Sequence, residues 1–196
     1  WKYAYYQYNG IDLAYFSQVF WNTAQGKFFV QSIHPQLSLG DHAEFIIPIL
    51  AIPYALFRDP RTLLILQSIG LALASTPLWL IAKRKFPNHS LWPLAIALLW
   101  LANPFVQNIN LFEFHILAFA PLPIFYALLE YEKQRRVHFI IWCIIALLVR
   151  EDVALVIAAI SLLAFLEKKS WFWKIAPGIL GGAWFVAAVK VISRFA

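Results

Sequence analysis

Carboxylates and imidazoles collect in four short stretches of this chain, each bordering an apolar run: Asp12; Gly40-Asp41-His42; Glu113 with His115; and Arg150-Glu151-Asp152. A carboxylate at the edge of an apolar segment is partly desolvated, which raises its pKa and suits it to general-base work or to holding a cation. Adjacent Asp41 and His42 offer both groups at one point. Glu113 and His115 are two residues apart, so on a regular helix they face different sides and cannot both hold one ion; an unwound segment would change that. Arg150 brings a guanidinium, whose fork matches phosphate oxygens. Each stretch also has a structural alternative. Asp12 could cap a helix, Gly40-Asp41-His42 could be a turn ahead of a capped helix, and Arg150-Glu151-Asp152 could be an ion pair inside a tight turn. Asp59, between Arg58 and Arg61, reads as a surface turn before a helix. The lone Cys143 lies within an apolar run, which excludes a disulfide frame or a zinc site and fits a small buried side chain.

The elements that would position these groups are membrane helices. Hydrophobic residues make up 62% of the 196 and charged residues only 13%, with mean hydropathy +0.67; a soluble domain is nearer one-quarter charged. The net charge of +6 does not point to nucleic acid, because most basic residues sit in short clusters between apolar runs. Seventeen Phe and nine Trp suit aromatic belts at two interfaces. Apolar runs approaching bilayer length cover residues 62–82, 91–102 (extendable back to Pro87), 111–129, 137–149, 153–166 and 171–189, the last with Gly181-Gly182 at a point suited to close helix packing. The expected architecture is all-α: one polytopic transmembrane domain over 1–196, with interfacial helices in 1–61 and about six transmembrane helices in 62–196.

Charge sorts the connections. Lys83-Arg84-Lys85, Lys133 with Arg135-Arg136, and Lys168-Lys169 with Lys174 hold nine of the sixteen Lys and Arg. An even number of crossings separates these clusters, so the positive-inside rule puts all three in the cytoplasm. Residues before 62, 103–110 and 150–152 then face outward, carrying Asp12, Asp41, Glu44, Asp59, Glu151 and Asp152 with His34 and His42, and Glu113 and His115 join them from the outer start of the run 111–129. A single helix from 137 to 166 would strand three charges at mid-bilayer, so two short helices meeting at a polar notch are expected. In the first sixty residues, 10–26 form an amphipathic helix with Ile11, Ala14, Tyr15, Val19 and Phe20 on one face, suited to the interface. Residues 43–57, with Pro48 and Pro53, are too short to span and are expected to lie along or dip into the outer leaflet. The chain opens at Trp1 and closes at Ala196 in an apolar stretch, as a piece of a longer protein would.

Five motifs occur in order along almost the whole chain: Ile11-Asp12-Leu13 through Gln18, Trp21-Asn22-Thr23 and Gly26; Gly40-Asp41-His42; Asn110-Leu111-Phe112-Glu113-Phe114-His115; Glu151-Asp152; and Ala183-Trp184-Phe185. Together they resemble the "domain of unknown function 2079" family of membrane proteins, which is similar to the GT-C superfamily of membrane glycosyltransferases. Ser17, where the pattern often has Asp, and Gln25, where it has His, depart from it. The resemblance implies a GT-C-like helix bundle in a prokaryotic inner membrane, with a helix ahead of Trp1 and more chain beyond Ala196. It implies a polyprenyl-phosphate-linked sugar as donor and Asp12 as the first-loop acid acting as general base. Asp41, His42, Glu113, His115, Glu151 and Asp152 would line the outer cavity, with a divalent cation as a candidate cofactor and Arg150 as the phosphate contact. The alternative is a non-catalytic membrane subunit within a larger complex of membrane subunits. A transporter fits less well, since its ionisable groups should reach the midplane.

Overall fold

A computed structural model describes residues 11–196, and every regular element among them is helical. Gly10, the expected start of the interfacial helix, lies outside the described residues. The elements are α1 (Asp12–Thr23), a 3-10 turn (Ser38–Gly40), α2 (Ile47–Leu56), α3 (Pro60–Leu73), α4 (Ser75–Lys85), α5 (Leu91–Ala102), α6 (Pro104–Leu111), a second 3-10 turn (Ile116–Phe119), α7 (Pro121–Glu132), α8 (Arg136–Leu147), α9 (Val153–Leu166) and α10 (Trp171–Phe195).

Proline opens four of the ten α-helices described, α2, α3, α6 and α7. It lacks an N–H and fits the first helical turn but not the interior. Asp59-Pro60 opens α3, with the Asp59 carboxylate accepting from Arg61 N at 2.8 Å. Asn103-Pro104 opens α6, with Asn103 Oδ1 accepting from Phe105 N at 2.9 Å. The connection expected over 103–110 is therefore itself a helix, bent by 43° from α5. The apolar run 111–129 is not one helix: α6 ends at Leu111, residues 112–115 are extended coil, and α7 starts at Pro121. Pro121 and Pro123 can begin that helix but would break the middle of a longer one.

The continuous stretch Pro60–Lys85 and α10 are long and apolar enough to cross a membrane, and the bent pair α5–α6 makes a third if it counts as one span. At 12, 12 and 14 residues, α7, α8 and α9 reach only about 18–21 Å, short of a hydrocarbon core of about 30 Å.

Helices α4–α5, α7–α8 and α9–α10 pack as pairs, with α4 also against α7. Their connecting turns lie together. Lys85 Nζ is 2.9 Å from Glu132 Oε2, Tyr131 donates its hydroxyl to Glu167 Oε2 at 2.9 Å, and Arg136 lies over the ring of Phe172. All three basic clusters thus occupy one end of the bundle. At the other end α9 stops at the polar notch 148–152, as expected from the charges, while α10 runs on to Phe195.

Residues 38–46 fill the space above the short helices. Gly40 packs so closely on the backbone at Phe195 that a Cβ there would collide with it. Lower down, Phe45 meets Trp184 edge-on at 5.8 Å, and Ile46 N donates to Leu148 O at 2.8 Å. Below this plug, α1 buries Leu13, Tyr15, Phe16, Val19 and Phe20, with Phe16 and Phe20 edge-on to Phe114. Of the apolar face expected from sequence, Tyr15, Val19 and Phe20 are buried while Ile11 and Ala14 are exposed. Leu13 and Phe16 are buried as well, Phe16 against Phe114.

Candidate functional site

The plug does not seal the end of the bundle. Beneath it is a cavity of about 560 Å³, with walls from α1, the 34–44 segment, α3, α5, α6, the second 3-10 turn and Arg150. That is the size of a small-molecule site. Its lining includes the ionisable Asp12, Asp41, Glu44, His34, His42, His115 and Arg150 and the apolar Leu71, Trp100, Val106, Ile109 and Leu117.

Asp12 is the first residue of α1, but it does not cap that helix. The capping bond comes from Glu113, 100 residues away, whose Oε2 accepts from Leu13 N at 3.0 Å. Glu113 is only 1% exposed, where the helix N-terminus favours a carboxylate. This leaves the Asp12 carboxylate on the cavity wall, with Oδ2 3.8 Å from His115 Nδ1. The His115 ring stacks on Phe112.

Glu113 and His115 reach α1 because Gln67 holds their backbone open. Gln67, fully buried in the middle of α3, donates to Ile109 O at 3.1 Å and to Glu113 O at 2.8 Å, and accepts from His115 N at 2.6 Å. An amide inside an apolar span is costly unless it is paired, and here it pairs the backbone of an extended segment that has no helix to satisfy it.

Asp41 is held by Tyr15 Oη (2.8 Å) and Gln36 Nε2 (2.7 Å). Burial, together with the Asp41 bond and the charges of Asp41 and Glu44, pushes the Tyr15 hydroxyl above its ordinary range. The α8–α9 notch supplies two braces. Glu151 takes His42 Nδ1 at 2.7 Å and Ala43 N at 2.9 Å. Burial alone would raise the Glu151 carboxyl, but these bonds outweigh it and hold it down at about 2. Asp152 receives the Arg150 guanidinium through both Nε and a terminal nitrogen. Burial works against the Arg150 charge, and Asp152, Glu151 and Glu44 more than restore it.

A family model described as a predicted membrane protein (DUF2079) matches residues 2–195. The chain belongs to that family. No curated protein matches it, and no solved structure does.

Of the residues singled out from this DUF2079 sequence, Asp12, Asp41, His42, His115 and Arg150 line the cavity. Glu113, Glu151 and Asp152 do not; they stand behind the wall and fix Leu13, His42 and Arg150. Among the described residues no three His, Cys, Asp or Glu side chains converge where they could hold a metal ion. Sequence reasoning gave no role to Gln67, Tyr15 or Glu44. A glutamine inside a 21-residue apolar run was the visible signal for the first; nothing local marks Tyr15 as the partner of Asp41.

Proposed function

We propose that this chain is the membrane portion of a glycosyltransferase that takes a sugar from a polyprenyl-phosphate donor, with Asp12 as general base. The observation that carries the reading is that one cavity is lined both by ionisable groups, Asp12 and Arg150 among them, and by apolar side chains, including Leu71, Trp100, Val106 and Ile109. An amphiphile with a charged head and a hydrocarbon tail suits such a mixed lining, and a free sugar nucleotide would leave the apolar side chains unused.

In this mechanism the acceptor hydroxyl attacks the anomeric carbon and gives its proton to Asp12. The bond from that carbon to the phosphate oxygen breaks, and its electron pair goes to the phosphate. Arg150 faces the charge that develops, already oriented by Asp152. His115, 3.8 Å from Asp12, positions the carboxylate. The basic clusters at the opposite end support placing the cavity on the extracytoplasmic side.

A positioned general base contributes roughly 10²–10⁴ in rate. Asp12→Asn should therefore lower sugar transfer by about a hundredfold or more, with donor binding retained. The measurement is transfer from radiolabelled polyprenyl-phosphate sugars by the full-length protein in detergent. An undiminished rate would remove Asp12 from the chemistry.

A further inference from the structure

Glu44 differs from every other acid on the cavity wall. Its side chain is 2% exposed, it faces the cavity, and among the described residues no donor hydrogen-bonds its carboxyl group. Asp41 is held by Tyr15 and Gln36, and Asp12 lies beside His115. A tight turn fixes the position of Glu44: its N–H donates to His42 O at 3.0 Å and its carbonyl accepts from Ile47 N at 3.2 Å. The charges around it come from three elements. Arg150, Glu151 and Asp152 face it from the notch, Asp41 lies on its own segment, and Tyr15 lies on α1. Arg150, the one cation in this set, already lies in the fork of Asp152.

A buried carboxyl with no donor to stabilise its anion keeps its proton. We propose that Glu44 is a second catalytic residue, carrying a proton at neutral pH and presenting it to a phosphate ester bound beside Arg150. The inference rests on the lipid-phosphate reading above and adds the acid that the base Asp12 lacks. When the anomeric carbon–oxygen bond breaks, the electron pair passes to the phosphate, and the Glu44 proton moves onto a phosphate oxygen. The acceptor oxygen forms the new bond to the anomeric carbon and gives its proton to Asp12. One carboxyl loses a proton and another gains one, so the cavity's proton count is unchanged; Glu44, now a carboxylate, faces Arg150. Burial pushes the Glu44 carboxyl well above its usual value, with Glu151, Asp41 and Asp152 acting in the same direction and Arg150 opposing them.

The test uses the full-length wild-type protein in lipid nanodiscs without any sugar donor, so a failure of transfer activity leaves it unaffected. Dicyclohexylcarbodiimide adds the O–H of a protonated carboxyl across its N=C bond and ends as a stable N-acylurea, which mass spectrometry locates. The expected result at pH 7 is modification of Glu44 at least about tenfold above Asp59, whose carboxyl the hydrogen bonds from Arg61 hold down at about 2, since each pKa unit is tenfold in the protonated fraction. Modification should fall as the pH is raised. Absence of the Glu44 adduct at pH 7 overturns the proton. Glu44→Gln should abolish the adduct and should slow transfer without weakening donor binding; an unslowed variant overturns the catalytic role. Three additions then probe the ligand. Protection by polyprenyl phosphate but not by polyprenol supports phosphate recognition on a lipid. Protection by inorganic phosphate as well supports recognition of the anion alone. Equal protection by polyprenol, or by none of the three, overturns the phosphate site.

Discussion

Glu44 and Glu151 both neighbour Arg150, yet their protons are driven in opposite directions. Glu151 collects donors from His42 and Ala43, so its folded carboxyl titrates at about 2 against an ordinary 4.5. Its contribution to stability is present above about pH 4.5 and is lost as the pH falls toward 2. Glu44 has burial without donors, and its folded carboxyl titrates well above 4.5. Its contribution is complete below 4.5 and is lost as the pH rises through the folded value. Thermal unfolding in detergent should therefore show stability climbing from pH 2 to about 4.5 and declining on the alkaline side. Glu44→Gln should flatten only the alkaline decline, and an unchanged alkaline limb in that variant would contradict this assignment. The types of these residues were legible in the sequence; their roles were not. Asp12 had the position of a cap, but the capping carboxylate is Glu113, supplied across 100 residues by a coil whose backbone Gln67 pairs. Local pattern carries no information about such a partner.

The two glycines in the middle of α10 look alike in sequence and are unlike in place. A Cβ on Gly181 would collide with the backbone of α9 at Ala154 and Ala158, whereas one on Gly182 meets nothing. Gly178 N, one turn earlier, bonds Ser161 Oγ at 2.7 Å. Small residues let helices approach this closely in a membrane. Gly181→Ala should cost about 1–3 kcal/mol through overpacking, while Gly182→Ala should be neutral or stabilise by up to about 1 kcal/mol through helix propensity. Unfolding of both variants in graded denaturant checks the pair, and equal effects would refute the close contact. Boundaries set by Asp59-Pro60, Asn103-Pro104 and the notch 148–152 were available from local chemistry. The break in the run 111–129 was also written there, in Pro121 and Pro123, but uniform hydropathy obscured it. The burial of Leu13 and Phe16 on α1 was not legible, because their partner, the segment carrying Phe114, lies about a hundred residues away.

At the scale of the molecule, charge segregation is the feature the sequence displayed most openly, and contacts such as Lys85–Glu132 and Tyr131–Glu167 bring the three basic turns together. The single cysteine is buried, so after Cys143→Ala a cysteine placed at Gln134 and another placed at Lys168 should react with a membrane-impermeant maleimide from the same side. One placed at Ser32 should react from the other. Labelling of the 134 and 168 positions from opposite sides would overturn the shared end. What the sequence concealed is how unequal the helices are. α10 rises about 37 Å by its 25 residues, beside an α9 of about 21 Å by its 14. Along the flank where α9 exposes Leu155, Leu162 and Leu166, a bilayer of ordinary thickness is mismatched to the protein, and the cheaper remedy is for the lipid to thin. Headgroups drawn down there would already stand nearer the level of Arg150 than headgroups elsewhere in the same leaflet.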